Sequence, residues 1–246
     1  MRALRTTIVL AVLLVGPGAQ VAAARPIVWV QAGHEGPREP GYANQTGAGS
    51  GPFGSELGFT TRTAAALVTR LQAAGVDARR TPGKVAPWAA TGATFISIHH
   101  DSAGGRAAVG HAVTSGGGEN YYHGEGDGTA SPTPYADSAP HRSATRVSAS
   151  VQRASSALAM RVAASLGRVH TPTNGADGPF GGVISPGGNR RMMHFYGYYR
   201  TNATARILVE CGAPGVDDRF LAKTDLVAKS LADALVTDLR ARSLLR

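Results

Sequence analysis

Apolar residues recur along the chain at two periods, and the switches between them mark out an order of strand, helix and strand. Pro26-Ile27-Val28-Trp29-Val30 is a short β-branched run, the body of a strand expected over 27–32 that ends at Gly33. After a polar, Gly-rich stretch from Glu35 to Gly54, the residues Ala64, Leu67, Val68, Leu71 and Ala74 share one helical face. Their spacing predicts a helix from Ser55 to Ala74, with Ser55 able to cap its start and Gly75 stopping it. Val76 to Arg80 reads as a strand returning to the sheet. Phe95-Ile96-Ser97-Ile98-His99 reads as a buried strand, and Val109 to Thr114 as another beyond the Gly104-Gly105 turn.

The stretch from Thr114 to Arg146 contains no Val, Ile, Leu or Met, so it has nothing with which to build a core. A long loop is expected there, serving as a mobile cover beside a cleft. Val147, Val151, Ala154, Leu158, Val162 and Leu166 then predict a second amphipathic helix ending at Gly167. A Gly-rich stretch over 174–188 separates it from strands expected at Met192 to Tyr199 and Arg206 to Glu210. A last helix runs from Thr224 to Leu239, with Val227, Leu231, Ala234 and Leu235 facing in. No internal repeat or second-domain boundary is visible. The expected fold is α/β: a single domain over 25–246 with a twisted, mostly parallel mixed sheet of about six strands and helices on both faces, phosphorylase/hydrolase-like.

Composition narrows the class. With 246 residues, 43% hydrophobic and 17% charged, the chain can bury a core of ordinary size, which excludes a disordered protein and a small disulfide-stapled module. The single thiol, Cys211, cannot form an internal disulfide. Residues 1–24 read as a secretory signal: Arg2 and Arg5, an apolar run of about ten residues, the Gly16-Pro17-Gly18 break, then Ala22-Ala23-Ala24 for cleavage. The run is too short to span a membrane, which takes about 20 apolar residues. The expected location is therefore secreted or cell envelope, in periplasm or wall, with no stable membrane insertion after cleavage. The formal charge of +9 loses two arginines and no acids on cleavage, leaving +7. The arginines are scattered and not interleaved with aromatics, which argues against nucleic acid and for a polyanionic surface outside the membrane.

Four polar residues stand at the ends of apolar elements, where an α/β protein places its reactive groups. His34 follows the first strand across Gly33, Glu56 opens the first helix, His99 ends the buried strand and Glu210 ends the strand 206–209. Two imidazoles and a carboxylate form a set that, on zinc, leaves one position open for water. Spacing alone leaves other roles open: a loop histidine, a hydrogen-bonded core histidine and a first-turn acid favoured by the helix dipole. His100 is expected on the opposite face of its strand from His99. His111, His123, His141, His170 and His194 read as surface or hydrogen-bonded histidines, with His194 the best placed for a supporting role. Glu35 and Glu39 are weaker substitutes for Glu56, since a Pro/Gly-rich loop gives them no rigid support.

The order VWVQAGHEG, GSELGFTTRTAAALVTRLQAAGVDARRT, TFISIHHDSAGG and ARILVECG, spread from Val28 across nearly all of the mature chain, resembles the zinc-dependent N-acetylmuramoyl-L-alanine amidases. The resemblance implies a single Zn2+ held by His34, Glu56 and His99, with Glu210 as the catalytic carboxylate and peptidoglycan or a muropeptide as substrate. The chain departs from the family pattern at Gln31-Ala32, where Asp-Pro is usual, and at Asp101, where Asn is usual. Neither change touches a ligand. The implied reaction is hydrolysis of the amide between N-acetylmuramic acid and L-alanine, with an unidentified protein activator left open. The alternatives are a zinc carboxypeptidase or related amidohydrolase, using Arg62 or Arg190-Arg191 to clamp a free carboxylate, and a non-catalytic wall-binding module.

Overall fold

The computed structural model describes residues 24–35, 47, 50–81, 90–105, 107–114, 147–170, 183–184 and 201–246. In chain order the elements are β1 (Ile27–Ala32), β2 (Ser50–Gly51), β3 (Gly54–Ser55), α1 (Glu56–Ala73), β4 (Asp77–Thr81), β5 (Thr91–Gly92), β6 (Thr94–His99) and β7 (Ala108–His111). There follow α2 (Ala149–Gly167), β8 (Val183–Ile184), β9 (Asn202–Ala203), β10 (Arg206–Glu210), α3 (Asp218–Leu221) and α4 (Thr224–Ala241).

Local chemistry sets the helix ends. Ser55 caps α1, its hydroxyl accepting from Gly58 N at 3.1 Å, and Gly75 takes a φ of +85° where the chain leaves the helix. Ser148 caps α2 in the same way through Val151 N at 3.3 Å.

Six strands form the main sheet in the order β4-β1-β6-β10-β7-β8, and every pairing is parallel except β10 with β7. The mostly parallel mixed sheet is thus the expected one. Its sixth strand is Val183–Ile184, inside a stretch expected to be loop, while the strand expected at 192–199 lies outside the described residues. So do residues 1–23 and 115–146, which hold the expected signal and nearly all of the expected cover. No helix among the described residues is long and apolar enough to cross a membrane.

Strand alternation sorts the sheet into two faces. Val28, Val30 and Ala32 of β1, Ile96 and Ile98 of β6, and Ile207 and Val209 of β10 are fully buried in one cluster with Leu67, Leu71, Leu158, Val162, Leu231 and Leu235 from the helices. Helix α4 packs between α1 and α2, so the three long helices make one layer on that face. These are the three long helices expected from the sequence, so among the described residues they cover one face of the sheet and not both. That second face carries Gln31, Ser97, His99 and Glu210, in register across β1, β6 and β10.

Candidate metal centre

Because β1, β6 and β10 run parallel, their carboxyl ends share one edge of the sheet, and α1, crossing back from β1 to β4, begins at the same edge. His34 sits in the turn just beyond β1. Gly33 N donates to Ile98 O at 2.9 Å, and the Thr60 hydroxyl donates to Gly33 O at 2.7 Å, tying the turn to β6 and α1. His34 itself holds a φ of +63°, a left-handed conformation uncommon for a residue with a side chain. Glu35 forms an ion pair with Arg80 of β4, which occupies that weaker substitute for Glu56.

Glu56 is the first residue of α1 and only 1% exposed. Its Oε1 lies 3.3 Å from His34 Nε2, 3.1 Å from His99 Nδ1 and 3.2 Å from His100 N, which donates to it. One ligand atom from each of His34, Glu56 and His99 falls within 4.8 Å of the others, and all three residues are buried. Two glycines make room. A Cβ on Gly33 would stand 2.4 Å from His99 Cε1, and one on Gly47, whose φ is +106°, would stand 2.6 Å from Glu56 Oε2.

The protonation states suit a cation. Burial pushes the Glu56 carboxyl up, but the His34 and His99 imidazoles beside it outweigh that and hold the group well below the usual carboxylate range. Burial moves the His99 imidazole down against the pull of Glu56, towards the neutral form a metal ligand needs. A buried anion facing two imidazole nitrogens is a donor set that fits zinc in type and number.

Glu210 is the register partner of His99, so its side chain leaves the sheet on the same face. The residue is partly exposed, yet its Oε2 is buried with no hydrogen-bond partner among the described residues. Burial first, then the neighbouring Glu56 and Asp101 charges, push this carboxyl well above its ordinary range. A group that holds its proton so readily is matched to proton transfer.

His100 points away, as the alternation of its strand requires: its ring lies 5.2 Å from Phe53 and 5.9 Å from Phe59 between α1 and the loop before it. His170 pairs with Asp217 at 2.7 Å, and His111 bonds Ala112 O through Nδ1 at 3.1 Å. His123, His141, His194 and Glu39 lie outside the described residues. Sequence reasoning missed Gln31, Ser97 and Gly47. The first two carried a signal: polar residues at positions of buried strands that share the face of His99.

No known family's sequence pattern matches the chain, and no curated protein does. Solved structures match it in fold. N-acetylmuramoyl-L-alanine amidase AmiC2 of Nostoc punctiforme aligns with 89% of this chain and 99% of its own, at a TM-score of 0.52 and 16% identity. The CwlD amidase from Clostridioides difficile, solved in complex with the GerS lipoprotein, aligns with 88% of this chain and 100% of its own, at 0.53 and 12%. Cwp6 from Clostridium difficile matches 89% of this chain at 0.53 and 17%, and there the match spans 29% of the neighbour's length. The fold is that of the N-acetylmuramoyl-L-alanine amidases.

Proposed function

We propose that this chain is an exported, zinc-dependent N-acetylmuramoyl-L-alanine amidase that cleaves the amide between N-acetylmuramic acid and L-alanine in peptidoglycan. The observation that supports it best is the buried convergence of His34, Glu56 and His99 within 4.8 Å, with Glu210 beside His99, on an amidase fold.

His34, Glu56 and His99 would hold the ion. Bound there, zinc supplies a Lewis acid that polarises a carbonyl and brings the pKa of water down to about 7. Glu210 accepts the proton of the attacking water and returns it to the leaving nitrogen as the C–N bond breaks, yielding the lactyl carboxylate and the free alanine amine. Its high proton affinity serves that second transfer. The basic charge favours an anionic wall, and residues 1–24 would direct the protein there. The CwlD neighbour's complex with a lipoprotein gives an activating protein partner a precedent of the same fold.

The carboxypeptidase reading is weaker, because Arg62 of α1 donates to Phe53 O at 3.0 Å, while Arg190-Arg191 lie outside the described residues. Mass spectrometry of muropeptides after incubation with the zinc-loaded protein tests the assignment. Free stem peptide with an exposed alanine amine is expected; loss of a carboxy-terminal residue would replace amidase by carboxypeptidase.

A further inference from the structure

We propose that Gln31 and Ser97 form a hydrogen-bonded relay that positions the His99 imidazole, turning its Nδ1 lone pair into the cluster of His34, Glu56 and His99 where an ion would be held, and thereby sets the affinity of those residues for a metal ion. The proposal rests on the reading of those three residues as a metal site.

Gln31 and Ser97 are register partners on β1 and β6, and neither exposes any surface. Buried side-chain polar groups of this kind are costly unless they bond to something, so their partners are informative. Ser97 Oγ lies 2.5 Å from Gln31 Oε1 and 3.0 Å from His99 Nε2. The hydroxyl has one proton. Gln31 Oε1 can only accept, so it takes that proton, and the contact with His99 is a hydrogen donated by the ring from Nε2 to Ser97 Oγ. A neutral imidazole protonated at Nε2 carries its lone pair on Nδ1, the atom that lies 3.1 Å from Glu56 Oε1. Both ends of the ring are therefore assigned: Nε2 to the relay, Nδ1 to the ion. Gln31 and Ser97 touch neither ion nor substrate and are positioning residues, of the sort whose loss weakens metal binding by about 10–100-fold.

Zinc alone is the probe, titrated into the purified, metal-stripped full chain against a chelating dye. Ser97→Ala and Gln31→Leu should each weaken zinc by about 10–100-fold. Gln31→Glu, which keeps the shape and an acceptor oxygen, should bind within a few-fold of the parent, by the same reasoning. Urea midpoints of the metal-free proteins separate positioning from packing, and if Gln31→Leu fails to fold, Ser97→Ala, which deletes one oxygen, decides the matter. Unchanged affinity in Ser97→Ala overturns the relay while leaving the metal site intact. Equal losses in Gln31→Glu and Gln31→Leu also overturn it, since they would report packing. A parent chain that takes up no zinc overturns the relay and the metal site together.

Discussion

At the scale of single residues, the centre is defined as much by what is missing as by what is present. Gly33→Ala would drive a methyl group into the His99 ring and Ile98 O, at 2.4 and 2.6 Å, with backbone on one side and a proposed ligand on the other. The variant should lose about 1–3 kcal/mol of stability by urea titration and most of its zinc together. His99→Ala should lose most of the bound zinc by elemental analysis, whereas His100→Ala, whose ring packs against Phe53 and Phe59, should keep it. Glu210→Gln keeps the shape and removes the proton acceptor, so turnover should fall by roughly 10²–10⁴ with zinc content and Tm unchanged. His34, Glu56, His99 and Glu210 could be picked out as candidates because each stands at one end of an apolar element. Gly47 was not, because its role depends on Glu56, nine residues further on, folding back beneath it.

At the scale of elements, long periodic segments were read closely and short ones were not. Helix α1 and strand β10 lie within a residue of the expected bounds, because many apolar positions vote on each. The two-residue strands β2 and β3 and the single turn of α3 have no period to read, and Phe53, Phe220 and Leu221 are buried there by context. Strand β7 ends at His111, short of the expected Thr114, whose N–H instead bonds Gln152 of α2 at 2.6 Å. The helix layer is fastened at one point that no pattern announced. Asp238 of α4, 1% exposed, bonds Arg161 of α2 at 2.9 Å and Arg242 at 2.8 Å, and Arg242 reaches on to Ala93 O and Thr94 Oγ1 at the start of β6. Burial pushes the Asp238 carboxyl up while the two arginines pull it down. Arg242→Ala should therefore cost about 1–3 kcal/mol. With that counter-charge gone, Asp238 prefers its proton more strongly, so the deficit should be larger at neutral pH than in mild acid. Chemical denaturation at the two pH values checks the sign.

At the scale of the whole molecule, structure and chemistry occupy opposite faces of one sheet. The helices bury the apolar face, and the polar positions of the same strands assemble the centre on the other. This division follows from strand alternation, but which polar residues meet was hidden until the register β1-β6-β10 was known. The excess of positive charge belongs to the molecule and not to the site. Binding to insoluble, anionic cell wall should weaken as salt shortens the screening length to about 8 Å, while turnover of small soluble muropeptides should change little; sedimentation and single-substrate assays separate the two.

Cys211 follows Glu210 directly, shows no exposed surface, and donates its N–H to His99 O at 2.9 Å. Burial, then the charges of Glu210 and Glu56, push its thiol well above the usual range. It should therefore be silent to alkylating reagents while the carboxyl edge of the sheet stays closed, and it is the chain's single sulfhydryl. The protein thus contains its own clock for opening at β10: the rate at which Cys211 is modified under native conditions measures how often that edge comes apart. Saturating zinc, by fastening β1, β6 and α1 to one another, should slow the clock.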